Sequence, residues 1–251
     1  MNLEQLALAG LAAFAAGAVN ALAGGGTLIT FPALAALGLP ALAANVTSTI
    51  ALCPGYLGGS FAQRADLAGQ GPRLRWVLPA GVVGGLLGAW LLVQTGERLF
   101  RELVPWLLLL ASALLASQNR IRAWLLGHSG DARPESGAWA ALAIGAGSVY
   151  GGYFGAGLGV VILAVLGLAF HDSLTRLNAT KQMVSLVTNV AAALFLAFSE
   201  HVVWSAVAVM AVAALLGGSV GGRLAQRIPP ESLRALVVAI GVIVAGVYFV
   251  R

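Results

Sequence analysis

The sequence predicts an all-α, polytopic membrane protein built from two inverted-topology repeats, with glycine-broken helices or re-entrant hairpins and six to ten crossings in total. Three observations predict it. Of 251 residues, 59% are hydrophobic and 9% charged, which leaves too little polar surface to cover a soluble globule. Apolar runs recur along the whole chain, and several reach the roughly 20 residues a helix needs to cross a hydrocarbon core of about 30 Å. A glycine-rich interruption followed by an Asn-x-Thr occurs once in each half.

The apolar segments of the first half are 3–23, 27–38, 41–62, 76–94 and 103–117, and those of the second are 138–150, 155–169, 178–199, 202–222 and 233–250. The first is preceded by Asn2, Glu4 and Gln5 and has no basic n-region, so it does not read as a cleaved signal peptide. Segment 27–38 is short and follows Gly24, Gly25 and Gly26, while 138–150 and 155–169 are short and broken around Gly151, Gly152 and Gly155. Short, glycine-interrupted segments in corresponding positions point to discontinuous helices or hairpins, and crossing parity leaves open which. The remaining segments read as ordinary transmembrane helices.

Basic residues orient these segments, because cytoplasmic loops collect Lys and Arg. Arg64, Arg73 and Arg75, then Arg120, Arg122 and Arg133, then Arg223, Arg227 and Arg234 mark three inside connections. The N-terminus and the turns at 39–40 and 199–201 carry no Lys or Arg and fall outside. A hairpin contributes zero or two crossings, so the first half begins outside and the second inside. The two halves are therefore opposite in orientation.

Direct comparison gives the same division. Residues 17–28 (GAVNALAGGGTL) align with 147–158 (GSVYGGYFGAGL), matching Gly17 to Gly147, Gly25 to Gly155 and Leu28 to Leu158, and Asn45-Val46-Thr47 aligns with Asn178-Ala179-Thr180. The expected organisation is a first repeat over 1–118, a cytoplasmic linker over 119–137 and a second repeat over 138–251. Glycine and alanine also serve plain close packing of membrane helices. It is the ordered recurrence of both motifs that favours the repeat.

A helix broken inside a membrane exposes N–H groups that carry partial positive charge and hold an anion without a side chain. Gly24, Gly25 and Gly26 in one half and Gly155 to Gly157 in the other are the first candidates, with Asn20 and Thr27 beside the first break and Tyr150 and Tyr153 beside the second. Asn45, Thr47, Ser48 and Thr49, and Asn178, Thr180, Lys181 and Gln182, form a second polar layer, since polar side chains in hydrocarbon face a bundle interior or a wet cavity. Asn45 and Asn178 serve equally well as helix caps. Lys181, the sole lysine, either neutralises an anion or snorkels to the cytoplasmic interface.

Composition also excludes. All nine acidic residues fall in loops or at helix ends, so a carboxylate proton relay or buried carboxylate cation site is not expected, and the bias is toward anionic substrates. The net charge of +5 is scattered among short connections and forms no nucleic-acid-binding stripe. One cysteine, Cys53, allows neither an internal disulfide nor a CxxC metal site. No His, Cys, Asp or Glu cluster has metal-ligand spacing, no Ser/His/Asp grouping stands out, and GxxxxGK[ST] is missing, so no cofactor, metal, catalysis or ATP hydrolysis is expected.

The stretch NALAGGGTLITFPALAALGLPALAANVTSTIA (20–51), its counterpart GGYFGAGLGVVILAVLGL (151–168) and NATKQ (178–182) resemble the sulfite exporter TauE/SafE family of bacterial membrane permeases over nearly the whole chain. The resemblance implies multi-pass residence in the bacterial inner membrane and secondary transport, usually export, of sulfite, sulfonates such as sulfoacetate, or related organosulfur compounds and carboxylates. It places the site on Gly24, Gly25, Gly26, Thr27, Asn45, Thr47, Ser48, Gly155, Gly157, Asn178, Thr180 and Lys181. The second copy departs from the first at Ile162, opposite Pro32, and at Phe154, opposite Gly24, so the halves are expected to contribute unequally. A passive anion channel is the alternative within transport, and a non-transport membrane subunit the alternative outside it. The expected partners are a small anion and the lipid bilayer, with homo-oligomerisation open.

Overall fold

The computed structural model describes residues 1–22, 25–127, 137–224 and 230–250. Among these residues the chain forms nine α-helices and one 3₁₀ turn: α1 (Leu3–Leu22), α2 (Thr27–Ala36), α3 (Ala41–Ala62), the 3₁₀ turn (Arg64–Leu67), α4 (Gly71–Gly127), α5 (Gly137–Tyr153), α6 (Leu158–Ala169), α7 (Leu174–Leu196), α8 (Trp204–Leu224) and α9 (Pro230–Val250). Windows in α1, α4, α7 and α9 are long and apolar enough to cross a membrane, which makes the chain a multi-pass, all-α membrane protein. α3 and α8 have 22 and 21 residues, enough for a crossing by length.

α4 is two helices joined at a sharp break. Its 57 residues would extend about 85 Å if straight, but Gly96 has φ 68° and ψ 172°, a conformation that a Cβ disfavours. Leu74, Val77 and Leu78 of the first arm and Ile121 and Leu125 of the second pack into one apolar cluster, so both arms return to the same end of the molecule. The elbow is fixed by Glu97, whose carboxylate accepts from Ala41 N and Leu42 N, each at 2.8 Å, and caps the start of α3.

Helix ends differ from the sequence expectation in several places: α4 already begins at Gly71, and α8 and α9 extend over Arg223 and Arg234, so Arg73, Arg75, Arg223 and Arg234 lie on helices rather than in connections. α7 begins at Leu174, four residues before Asn178, because the Ser173 hydroxyl caps it by accepting from Arg176 N at 3.4 Å. The second arm of α4 continues to Gly127, so Arg120 and Arg122 ride on a helix rather than a loop. Arg133, Arg227 and the 128–136 part of the expected linker lie outside the described residues.

The packing partners exchange between the halves. α1 lies on α8, and α5 lies on the first arm of α4; α3 also contacts α8, and α7 contacts that same arm; α2 meets α9, and α6 meets the second arm of α4; α3 meets α7, and α4 meets α9. Such an exchange is what a two-fold relation between two five-helix halves produces. Ser60, late in α3, donates to Gln182 O, early in α7, so these two equivalent helices run antiparallel.

Glycines make the exchanged contacts close. A Cβ on Gly17 or Gly217 would collide with the backbone carbonyls of Ala214 and Phe14 across the α1–α8 contact, and one on Gly88 or Gly152 with those of Val149 and Gly85 across the α4–α5 contact. Small residues let membrane helices approach until backbones touch, and dispersion then replaces the hydrophobic drive that lipid cannot supply.

Candidate functional site

α1 and α2 form a re-entrant hairpin. Gln5 Nε2, at the start of α1, donates to Leu37 O, just past the end of α2, at 3.1 Å. At the other end of α2, a Cβ on Gly26 would lie 2.9 Å from Ala16 O and 3.4 Å from Asn20 Cβ. α2 has only 10 residues, about 15 Å of helix against a core of about 30 Å. It therefore starts near mid-depth and returns to the side on which α1 began.

α5 and α6 repeat the arrangement from the other side. Gly137, opening α5, packs on Trp76, and Gly167, near the end of α6, packs on Leu125, so both hairpin ends lie with the two ends of α4. At its tip Gly151 meets Leu158, a Cβ there being 2.7 Å from Leu158 Cδ2. These contacts resolve the choice that parity left open, since both short segments are half-length return helices.

The two tips converge. Gly25, at the first break, packs on Leu115, and Gly157, at the second, on Ala111 and Leu114, which is a single turn of the second arm of α4. Gly25, Gly155 and Gly157 have φ of 89°, 80° and 80°, where glycine costs least. No side chain caps α2 or α6, and the amides of Gly26, Thr27, Ala156 and Gly157 have no hydrogen-bond partner among the described residues. Two helix N-termini thus bring backbone donors without a partner among the described residues, and partial positive charge, to one level of the membrane.

Several side chains complete this region. Asn20 lies beside Tyr56, the Tyr150 hydroxyl donates to Ala156 O, and Lys181 lies along the first turn of α6, its Nζ 3.9 Å from where a Gly159 Cβ would be. Neither Lys181 nor Arg122, close enough to repel it, has an ion-pair or hydrogen-bond partner among the described residues. Asn189 Oδ1 lies 4.0 Å from a Cβ position on Gly155.

The sequence candidates therefore separate into two groups. Asn20, Gly25, Gly26, Thr27, Tyr150, Gly155, Gly157 and Lys181 gather around the breaks, while Gly24 lies outside the described residues. Most of the second layer ties helices together: Asn45 Nδ2 donates to Tyr153 O at 2.9 Å, Ser48 pairs with Thr30, Thr47 accepts from Val203 N at 3.2 Å, Asn178 Nδ2 donates to Gln63 at 2.8 Å, and Thr180 donates to Gln70 at 2.6 Å. Gln182 meets α3 through its carbonyl oxygen, which accepts from Ser60 at 3.4 Å. Asn45 and Asn178 are each the fifth residue of their helix, so neither is a cap. The sequence reasoning missed Tyr56 and Asn189. Each stands eleven residues after the asparagine of an Asn-x-Thr, three helical turns along the same face, and that spacing was the available signal.

The two ends of the site are closed differently. On the side of the Gly96 elbow, Phe31, Phe100 and Phe154 are fully buried with ring centroids 5.7 to 6.4 Å apart, and Tyr248 stacks on Phe31 at 6.3 Å. At the opposite end, Asp172 pairs with Arg73 at 2.9 Å and Arg176 at 3.0 Å. Partial burial pushes the Asp172 carboxyl up, but hydrogen bonds from Arg176 and Arg73 outweigh that and hold it below the usual carboxylate range.

The chain is similar to other proteins along nearly its whole length. The chain is 24% identical over 237 residues to the probable membrane transporter protein YfcA of Escherichia coli strain K12, covering 93% of this chain and 86% of that one. It is 24% identical to a probable membrane transporter protein of Haemophilus influenzae, covering 95% and 92% of the two chains, and 27% identical to the probable membrane transporter protein ORF9 of a Sinorhizobium species, covering 96% and 90%. No solved structure matches the chain. The family model of the sulfite exporter TauE/SafE matches residues 9–248, and the chain belongs to that family.

Proposed function

We propose that the protein is a secondary transporter of the bacterial inner membrane that exports a small anion, such as sulfite, a sulfonate of the sulfoacetate type or a related carboxylate, by alternating access between two inverted repeats, residues 1–118 and 138–251. The observation that carries this reading is the meeting of the α2 and α6 N-termini on one turn of α4. Backbone donors at Gly26, Thr27, Ala156 and Gly157 hold the anion's oxygens, glycine lets it approach, and Lys181 supplies the compensating charge.

The buried aromatic cluster favours a carrier over a channel, because an open pore has no use for a dry plug between the site and one face. Export follows from energetics: a negative interior drives each net negative charge outward by about 2.3 kcal/mol per 100 mV. The names of the relatives agree with transport, and the site needs no catalytic group.

Proteoliposomes loaded with labelled sulfite or sulfoacetate test the proposal. An imposed potential should drive flux, and unlabelled substrate on the far side should accelerate it, as a carrier requires. Potential-driven flux without such trans-stimulation establishes a channel instead, and no flux of any small sulfur oxyanion or carboxylate refutes the substrate class.

A further inference from the structure

The C-terminal end of α5 is the electrostatic opposite of the two helix starts. It presents backbone carbonyls, with the Tyr150 carbonyl accepting from Phe154 N and Gly155 N, and its partial charge is negative. Asn45, 0% exposed, anchors there: its Nδ2 donates to Tyr153 O, the last carbonyl of the helix, at 2.9 Å. The amide orientation is fixed by this contact, because Tyr153 O only accepts. Asn45 Oδ1 is consequently a second acceptor beside the first, and it is buried with no hydrogen-bond partner among the described residues. Just past the helix end, Asn189 also turns its oxygen inward, since its Nδ2 is committed to Ser185 O at 2.7 Å while Oδ1 faces Gly155.

A buried acceptor without a donor costs free energy unless something supplies positive charge or a proton. The oxygens here are amide and carbonyl, which do not titrate near neutral pH, so a proton has no base to occupy. An anion is repelled by the same oxygens. From this geometry we infer that the α5 C-terminus, with Asn45 Oδ1 beside it, is a binding site for a small hard monovalent cation, of which Na⁺ is the natural member, as a coupling ion. Neutral oxygens at a broken helix end suit such a cation. An inward Na⁺ and an outward anion both run down a negative-inside potential, so the site adds a drive to the export proposed above.

Thermal unfolding and ²²Na⁺ binding of the purified protein test the site without any anion. The midpoint should rise saturably in NaCl relative to choline chloride at equal ionic strength. Asn45→Leu should weaken Na⁺ binding at least tenfold, and Asn45→Asp, which keeps the shape and adds charge while giving up the Nδ2 bond to Tyr153 O, should tighten it through the carboxylate's direct attraction for the cation. Equal midpoints in the two salts, with no saturable ²²Na⁺ bound, would overturn the inference and leave a buried water on Asn45. Should Asn45→Leu fail to fold, Asn45→Asp decides: Na⁺ affinity no tighter than in the wild type also overturns it. Anion flux indifferent to Na⁺ sinks this site alone, whereas Na⁺ binding without anion flux sinks only the transport reading.

Discussion

Substituting Gly217 by alanine forces a choice between two helices' preferred separation and one methyl group. A Cβ there would lie 2.7 Å from Phe14 C and 2.9 Å from Phe14 Cα, and still nearer the Phe14 carbonyl oxygen. Carbon atoms rest at about 3.5 to 4.0 Å, so α1 and α8 must part by roughly 1 Å along their contact, which forfeits about a quarter to a half of each dispersion well there. The obstacle is backbone, so no rotamer change relieves it. Overpacking of this kind costs about 1 to 3 kcal/mol, whereas exchanging glycine for alanine in a helix returns about 1 kcal/mol; the net expectation is a loss of up to about 2 kcal/mol. The control is Gly246→Ala in α9, where nothing lies within 4 Å of the new atom, and where only the helical gain of up to about 1 kcal/mol applies. Unfolding of both variants in one detergent, followed by circular dichroism, compares them directly. A Gly217→Ala midpoint equal to or above that of Gly246→Ala would refute the reasoning, since it would mean that α1 and α8 are not held at backbone contact.

Three further perturbations probe the site and its ends. Lys181→Ala should raise the apparent Kd for the transported anion about 10- to 150-fold, the equivalent of roughly 1.5 to 3 kcal/mol for a charge-assisted hydrogen bond, with Lys181→Arg recovering only part of it; unaltered affinity in the alanine variant would assign the lysine to snorkelling. Glu97→Gln should cost about 1 kcal/mol through weaker capping of α3, read as a lower unfolding midpoint with substrate affinity retained. Asp172 has a depressed carboxyl pKa, so its pairing stabilises the fold above the unfolded value near 4 and is lost as pH falls through the folded value. The stability difference between wild type and Asp172→Asn, about 1 to 2 kcal/mol for this partly buried pair, should accordingly be flat from pH 8 to about 5 and shrink below about 4.

Much of the fold was legible because bilayer length and glycine punctuation are local signals. The residues that break α2 and α6 from their neighbours announce themselves as Gly25 and Gly26 and as Gly155 to Gly157, and Gly25, Gly155 and Gly157 have the positive φ that justifies them. The elbow in α4 was harder to place, since Gly96 is one glycine among 33 and its partner Glu97 reaches a helix start 56 residues earlier in the chain. The start of α7 was misplaced for a related reason. Asn178 has the chemistry of a cap, but Ser173 occupies that place and Asn178 reaches Gln63 instead. In the site, the glycines could be read from backbone need alone, while Tyr56 and Asn189 are defined by what faces them across the bundle, which no window of sequence contains.

The polar ties show how the halves share labour. Thr30 with Ser48, Asn45 with Tyr153, Thr47 with Val203 and Glu97 with the start of α3 all lie between the breaks and the elbow face, where the aromatic cluster sits. On the opposite face the corresponding positions of α7 hold Asn178 and Lys181, which are only partly buried, while Asp172 and Thr180 tie that end to the first turns of α4. Thr47 and Thr180 occupy equivalent places yet bind unlike partners, a backbone amide in one case and the Gln70 side chain in the other. A two-fold scaffold whose halves are tied differently has one tightly closed face and one looser face, and under the alternating access proposed above the exchange of these ties would be the required motion. The departures from symmetry accompany this difference: Phe154 fills the elbow side with a ring packed on Phe31 and Phe100, whereas Gly24, which the sequence aligns with it, carries no side chain.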